Sequence, residues 1–167
     1  MLPISTITRT ATFDSTGSYR YSLGRQWRDG GPLLAILMLN PSQASDTADD
    51  PTIRRCMGLA HGWRFGAIQV VNLFAYRTAD PRQLKQTPDP IGPDNDAALI
   101  TAAAQADRIL LAWGNHGCFQ ERDEAVLALL SSYQAKWCCI DHNRTGQPRH
   151  PLYVRRDAGL TRWDQNL

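Results

Sequence analysis

The chain has little net charge: 18 Lys and Arg oppose 16 Asp and Glu across 167 residues, a balance of +2. That excludes the molecule-wide basic field with which many proteins collect nucleic acid or anionic membrane. No apolar run is long enough for a membrane span, and the opening Met-Leu-Pro-Ile-Ser-Thr has neither the basic segment nor the apolar stretch of a secretory signal. A cytoplasmic location without a membrane partner is the expectation. Cysteine is scarce, with Cys56, Cys118, Cys138 and Cys139 and no C-x-x-C pair to hold zinc or an iron–sulfur cluster. All four are expected to be reduced thiols, with Cys138 and Cys139 on opposite faces of one strand. His61, His116, His142 and His150 fall into no metal-ligand spacing, so no metal or other cofactor is expected. Also missing are the G-x-S-x-G elbow, the Walker loop and the dinucleotide fingerprint, which closes the usual motif routes to hydrolase, kinase and dehydrogenase.

What is present is a rhythm of apolar runs that each empty into polar or glycine- and proline-rich loops. Leu33 to Leu39 runs into Asn40-Pro41-Ser42, Ala67 to Val71 into Asn72 and then Tyr76-Arg77, Ile109 to Ala112 into Trp113-Gly114-Asn115-His116-Gly117, and Lys136 to Ile140 into Asp141 to Pro151. Helices are expected between them: one opened by Asp50-Pro51 and closing near Gly62, one from Asp94 to Ala106, and one over Phe119 to Ser132. The segment with Pro81, Pro88, Pro90, Gly92 and Pro93 reads as a loop. Strand alternating with helix predicts a three-layer α/β/α domain around a four-stranded parallel sheet. Ile7 to Asp14 and Tyr19 to Trp27 precede it as a short antiparallel ribbon. With 43% apolar content the chain suits one domain. Its parts are a ribbon over 1–31, a parallel core over 32–151 and a basic tail over 152–167. Near the C-terminus Arg144, Arg149, Arg155, Arg156 and Arg162 outnumber Asp141, Asp157 and Asp164, which would suit phosphate contact if the arginines shared a face, with a solvated tail the competing reading.

Ligands of open parallel sheets sit outside the carboxyl ends of the strands, so the four loops are expected to form one site. Asn40 can hold a water or ligand by its amide while Pro41 stiffens the turn, although Asn and Pro also serve as plain turn residues. Asn72 interrupts a buried strand; its amide matches the donor and acceptor edge of a nucleobase, or is simply satisfied within the core. His116 and His150 lie in turns from which either could donate to a developing anion. Trp113, ending a buried strand, supplies either core area or a stacking face. Asp46, Asp49 and Asp50 are candidate carboxylate bases, with helix capping the competing role of Asp50.

Several segments together resemble the uncharacterised bacterial family called domain of unknown function 1643. They are Asn40-Pro41-Ser42, Asp50-Pro51-Thr52-Ile53-Arg54-Arg55, Val71 to Arg77, Gly92-Pro93-Asp94-Asn95-Asp96, Trp113 to Gly117, and His150-Pro151-Leu152-Tyr153. More remotely, the same order of motifs is similar to that of the uracil-DNA glycosylase superfamily, whose branches carry aspartate or asparagine before the proline that is here Pro41. That resemblance implies a base-removing site in which Asn40 positions water, Asn72 reads the base and His150 stabilises the leaving base. Leu152 or Tyr153 would fill the hole left by a flipped nucleotide. Loops and resemblance together nominate Asn40, His116 and His150 for catalysis. For substrate contact they nominate Pro41, Ser42, Asn72, Arg77, Trp113, Gly114, Asn115, Leu152 and Tyr153. The implied partner is nucleic acid or a nucleotide. The sequence departs from the glycosylase pattern at Ser42 and at Leu152-Tyr153, and asparagine is a poor base, so Asn40 would orient water rather than ionise it. A binding module without turnover, or another hydrolase or transferase using His116 or His150 with Asp49 or Asp50, fits the same residues.

Overall fold

The structure, a computed structural model, describes residues 6–164. A hairpin opens it: β1 (Thr8–Phe13) and β2 (Arg20–Gln26) pair antiparallel. The buried strand β3 (Leu33–Met38) leads into α1 (Pro51–Gly62) and β4 (Ala67–Asn72). After α2 (Pro81–Gln86) and α3 (Asn95–Gln105) come β5 (Arg108–Leu111), α4 (Arg122–Leu129), β6 (Trp137–Cys139) and a two-residue β7 (Thr161–Arg162). One mixed sheet holds all seven strands in the order β1-β2-β4-β3-β5-β6-β7. The pairings of β3 with β4, β3 with β5 and β5 with β6 are parallel, and the outer ones are antiparallel.

The period-two geometry of β3 explains the layers. Leu34, Ile36 and Met38 face one side, where α1 buries Ile53, Cys56, Met57, Leu59 and Ala60 against them. Ala35 and Leu37 face the other, against Leu99, Ala102 and Ala103 of α3 and Val126 of α4. Both faces are covered, which is why the strand reads as an unbroken apolar run. Leu37 is fully buried, so truncation to alanine is expected to cost about 2–5 kcal/mol. Cys138 and Cys139 do fall into the two different clusters, and all four cysteines are free thiols. Burial pushes the Cys56 and Cys138 thiols up to about 12, so neither forms a thiolate near neutral pH.

Four expectations are corrected. The four-stranded parallel sheet is part of a larger mixed one: the expected N-terminal hairpin forms at its edge, and β2 pairs antiparallel with β4 from Leu23–Val70 to Gln26–Ala67. The segment 152–167 is no free tail, at least to Asp164, because β7 pairs with β6, Trp163 is buried and Trp63 donates to the Ala158 carbonyl at 2.8 Å. The proline-rich loop contains α2, started by Asp80, whose carboxylate accepts from the Arg82 amide, and by Pro81 in the first turn. The helix expected over Phe119 to Ser132 is regular only from Arg122 to Leu129. Gln120 and Glu121 take left-handed backbone (φ 55° and 54°), which no α-helix tolerates, and short 3₁₀ turns flank it.

Candidate active site

Strand β3 is the point at which the chain changes direction across the sheet, with β4 on one side of it and β5 on the other. Neighbouring loops part at such a switch point and leave a crevice at the carboxyl ends. A cavity of about 570 Å³ lies there. Its walls come from the loops after all four parallel strands, from the first turn of α1 and from Arg20 at the start of β2. Of the twelve nominated residues, Asn40, Pro41, Ser42, Trp113, Gly114, Asn115, His116, His150, Leu152 and Tyr153 line it.

Asn72 and Arg77 do not. Asn72 is buried behind the cavity, and its Oδ1 accepts from Arg20 Nη2 at 3.5 Å. Arg77 belongs to a neighbouring cleft, where its Nη1 donates to the Gly17 carbonyl at 3.0 Å and its guanidinium lies 4.8 Å from the Phe13 ring centroid. It braces the hairpin turn instead.

Asn40 is held from one side. Its Nδ2 donates to the carbonyls of Pro41 (3.1 Å), Tyr76 (3.3 Å) and Thr78 (2.7 Å), which ties the loop after β3 to the loop after β4. Three acceptors around one atom identify that atom as the nitrogen, so the amide orientation is settled. Oδ1 then takes no hydrogen bond from the described residues and is left as an acceptor for a water or ligand. Asp50 caps α1, its Oδ1 accepting from the Ile53 amide at 2.9 Å, and it also lines the cavity. Capping and chemistry are therefore compatible in one carboxylate. Asp49 is occupied elsewhere, paired with Arg25 at 2.7 Å and Arg9 at 3.3 Å, and Asp46 is exposed away from the cavity.

His150 opens the 3₁₀ turn Pro151–Tyr153, and its Nδ1 accepts from the Leu152 amide at 3.2 Å. An accepting Nδ1 places the proton of the neutral ring on Nε2, the tautomer able to donate. Burial holds the imidazole below its ordinary pKa, against a smaller upward pull from Asp50, so the neutral form dominates near neutral pH. His116 is exposed at the cavity edge. Trp113 is buried in the core and also lines the cavity, and its Nε1 donates to Gln147 Oε1 at 2.6 Å. Two glycines permit this corner. Gly114 sits at φ 74°, and a Cβ on Gly117 would come within 2.0 Å of Trp113 Cδ1. Asn115 Oδ1 accepts from Asn143 Nδ2 (2.9 Å) and Thr145 Oγ1 (2.7 Å), which joins the loops after β5 and β6.

At the mouth stand Leu152 and Tyr153, 38% and 78% exposed, unusual for large apolar side chains so close together. Beside them Arg54, Arg55 and Arg156 line a shallow groove that shares Leu152 with the cavity. The other C-terminal arginines do not join it: Arg149 pairs with Asp141 at 2.8 Å and Arg155 with Asp157 at 2.9 Å.

The residue missed in the sequence is Arg20. It stands at the return of a hairpin, where an arginine reads as solvated, and only the pairing of β2 with β4 carries it under the cavity. Thr78, Ala79, Pro81 and Asn143 also line the cavity and carried no signal beyond their place in loops. Among the described residues no cluster of three His, Cys, Asp or Glu side chains could hold a metal ion, and no helix is long and apolar enough to cross a membrane.

No curated protein and no solved structure matches the chain. The family model described as "Protein of unknown function (DUF1643)" matches residues 20–152, a span that includes Arg20, Asn40, Asp50, Trp113, His150 and Leu152. The chain therefore belongs to the DUF1643 family.

Proposed function

We propose that the cavity is a nucleobase or nucleotide site at which an N-glycosidic bond is hydrolysed, the substrate being an altered base in nucleic acid or a modified nucleotide. The observation that carries this reading is the convergence of a free Asn40 Oδ1, the Asp50 carboxylate and a neutral, donating His150 on one cavity. Asn40 orients a water and Asp50 accepts its proton as the oxygen attacks the anomeric carbon. The C–N bond breaks with its electron pair passing to the base, and Nε2–H of His150 stabilises the charge that develops there. Trp113 offers a face for stacking, and Leu152 with Tyr153 offers an apolar wedge beside the arginine groove. The order of motifs, similar to that of the uracil-DNA glycosylase superfamily, supports the same chemistry and a fold of that kind. The position of Asn72 outside the cavity lining argues against its reading the base directly.

Release of free base from single-stranded and duplex oligonucleotides and from mononucleotides bearing uracil, hypoxanthine or other altered bases tests the proposal. Removing one donor to a developing anion typically costs about 10²–10³ in rate, so His150→Ala is expected to fall by that order and Asp50→Asn to fall as well. Release that is equal in wild type, His150→Ala and Asp50→Asn ends it. One observation favours a second reading, a binding module without turnover: the amide of Asn40 is spent on three carbonyls, a task that builds the cavity whether or not chemistry follows. Nucleic-acid or nucleotide binding with no release from any substrate selects that reading.

A further inference from the structure

Three arginines are buried among the described residues, Arg20, Arg25 and Arg122. Two have carboxylates in contact, Arg25 with Asp49 at 2.7 Å and Arg122 with Asp96 at 2.5 Å. Arg20, 2% exposed, has no carboxylate within ion-pair distance among the described residues, yet it is the one of the three that lines the cavity.

Its hydrogen bonds are incomplete as well. A guanidinium carries five N–H donors. Nη1 donates to the Ala44 carbonyl at 3.2 Å and Nη2 to Asn72 Oδ1 at 3.5 Å, while Nε is buried with no acceptor among the described residues. Nδ2 of Asn72, attached to the same amide, is likewise buried and unpartnered. Donors thus accumulate behind one wall of the cavity with too few acceptors to meet them. Buried charges are normally paired, and buried donors normally bonded, because each left alone loses its solvation without return.

The charges around Arg20 do not close the gap. Asp50, on the same cavity, acts on it from beyond ion-pair distance, while Arg25 and Arg77 oppose it. Burial outweighs them and lowers the guanidinium to about 10, still fully charged at neutral pH.

We propose that this cavity binds an anionic group, a phosphate or a carboxylate of its ligand, seated against the guanidinium of Arg20. The ligand then supplies the counter-charge that Asp49 and Asp96 supply to the other two arginines. For a nucleotide the group is a phosphate. An anion on Arg20 requires no glycosidic chemistry, so its binding and base release are separate measurements and either can fail alone.

Thermal unfolding in inorganic phosphate and in acetate, each against chloride at matched ionic strength, is the test. A rise in melting temperature is expected in wild type and in Arg156→Ala, whose arginine lines the outer groove, and its loss is expected in Arg20→Gln. A response to phosphate alone assigns a phosphate site, and a response to acetate alone a carboxylate site. No response to either anion in wild type, or a response unchanged in Arg20→Gln, overturns the proposal. Should Arg20→Gln not fold, the ¹⁵N resonance of Arg20 Nε in wild type decides: it moves with the responding anion, and a resonance that stays fixed overturns the assignment.

Discussion

Arg20 and Arg25 begin and nearly end the same strand, and both are buried, but their surroundings differ in kind. Arg25 is saturated. Its Nε meets Asp49, and its terminal nitrogens donate to the carbonyls of Gly24 (2.7 Å), Ala48 (3.2 Å) and Ser45. It fastens the long loop between β3 and α1 onto the sheet. Arg20 fastens little and keeps donors in reserve beside a cavity. Burial of a charge alone therefore says nothing about its role. Whether the protein supplies its partner separates a structural cation from one that awaits a ligand.

The comparison breaks most directly by substitution. Arg25→Met strands Asp49 with only the exposed Arg9 and leaves the loop carbonyls without donors, so a loss of about 3 kcal/mol is expected by denaturant unfolding. Arg20→Met removes a cation with no ion-pair partner, and its stability is expected within about 1 kcal/mol of wild type or above it. Equal losses at the two positions would erase the distinction.

The rigidity of the cavity wall is the next largest effect. Gly117→Ala drives a methyl into the Trp113 ring, and a cost of about 1–3 kcal/mol is expected, with altered tryptophan fluorescence in the folded protein. A variant as stable as wild type with unchanged emission would mean that the wall yields.

A pH titration of stability sharpens the contrast in another way. The native pKa of His150 lies below its ordinary 6.5, so the unfolded chain takes up the proton first as pH falls. The contribution is whole above 6.5 and is lost on acidification through the native value. His150→Gln should therefore show a shallower loss of stability below pH 6.5, and an identical profile in the two proteins counts against a half-buried ring held neutral. The smallest change in stability is expected at the mouth, where Tyr153→Ala alters a side chain 78% exposed and should stay within about 0.5 kcal/mol of wild type. The proposed wedge places its effect on binding: weaker capture of nucleic acid or nucleotide in a titration agrees with that proposal, and unchanged affinity leaves Tyr153 without a role at the site.

Much of the site was legible because loops at the ends of buried strands are constrained by the strands themselves. Once Leu33 to Leu39 and Ile109 to Ala112 are read as adjacent parallel strands, Asn40 and Trp113-Gly114 must fall at one edge, and they do. Asn72, for which base contact and a core role were both open, lies outside the cavity lining. A residue at the end of a strand can face the cavity or the layer behind it, and pattern alone does not choose when both faces are buried. The short α2 was hidden by prolines that also mark loops, although Asp80-Pro81 carries the same cap signal as Asp50-Pro51.

The sequence by itself determined the periods of the buried strands, the cap of α1 and the alternation of strand and helix through the middle of the chain, since these depend on neighbours a few residues apart. It also determined that the polar loops would gather at one edge, because parallel strands share a direction. Only the tertiary structure decided that the N-terminal hairpin joins the same sheet, that Arg20 comes to rest under the cavity and that Asp49 turns away while Asp50 turns in. Those outcomes depend on which distant strand β2 pairs with and on which carboxylate a buried cation reaches first, and neither leaves a trace in spacing along the chain.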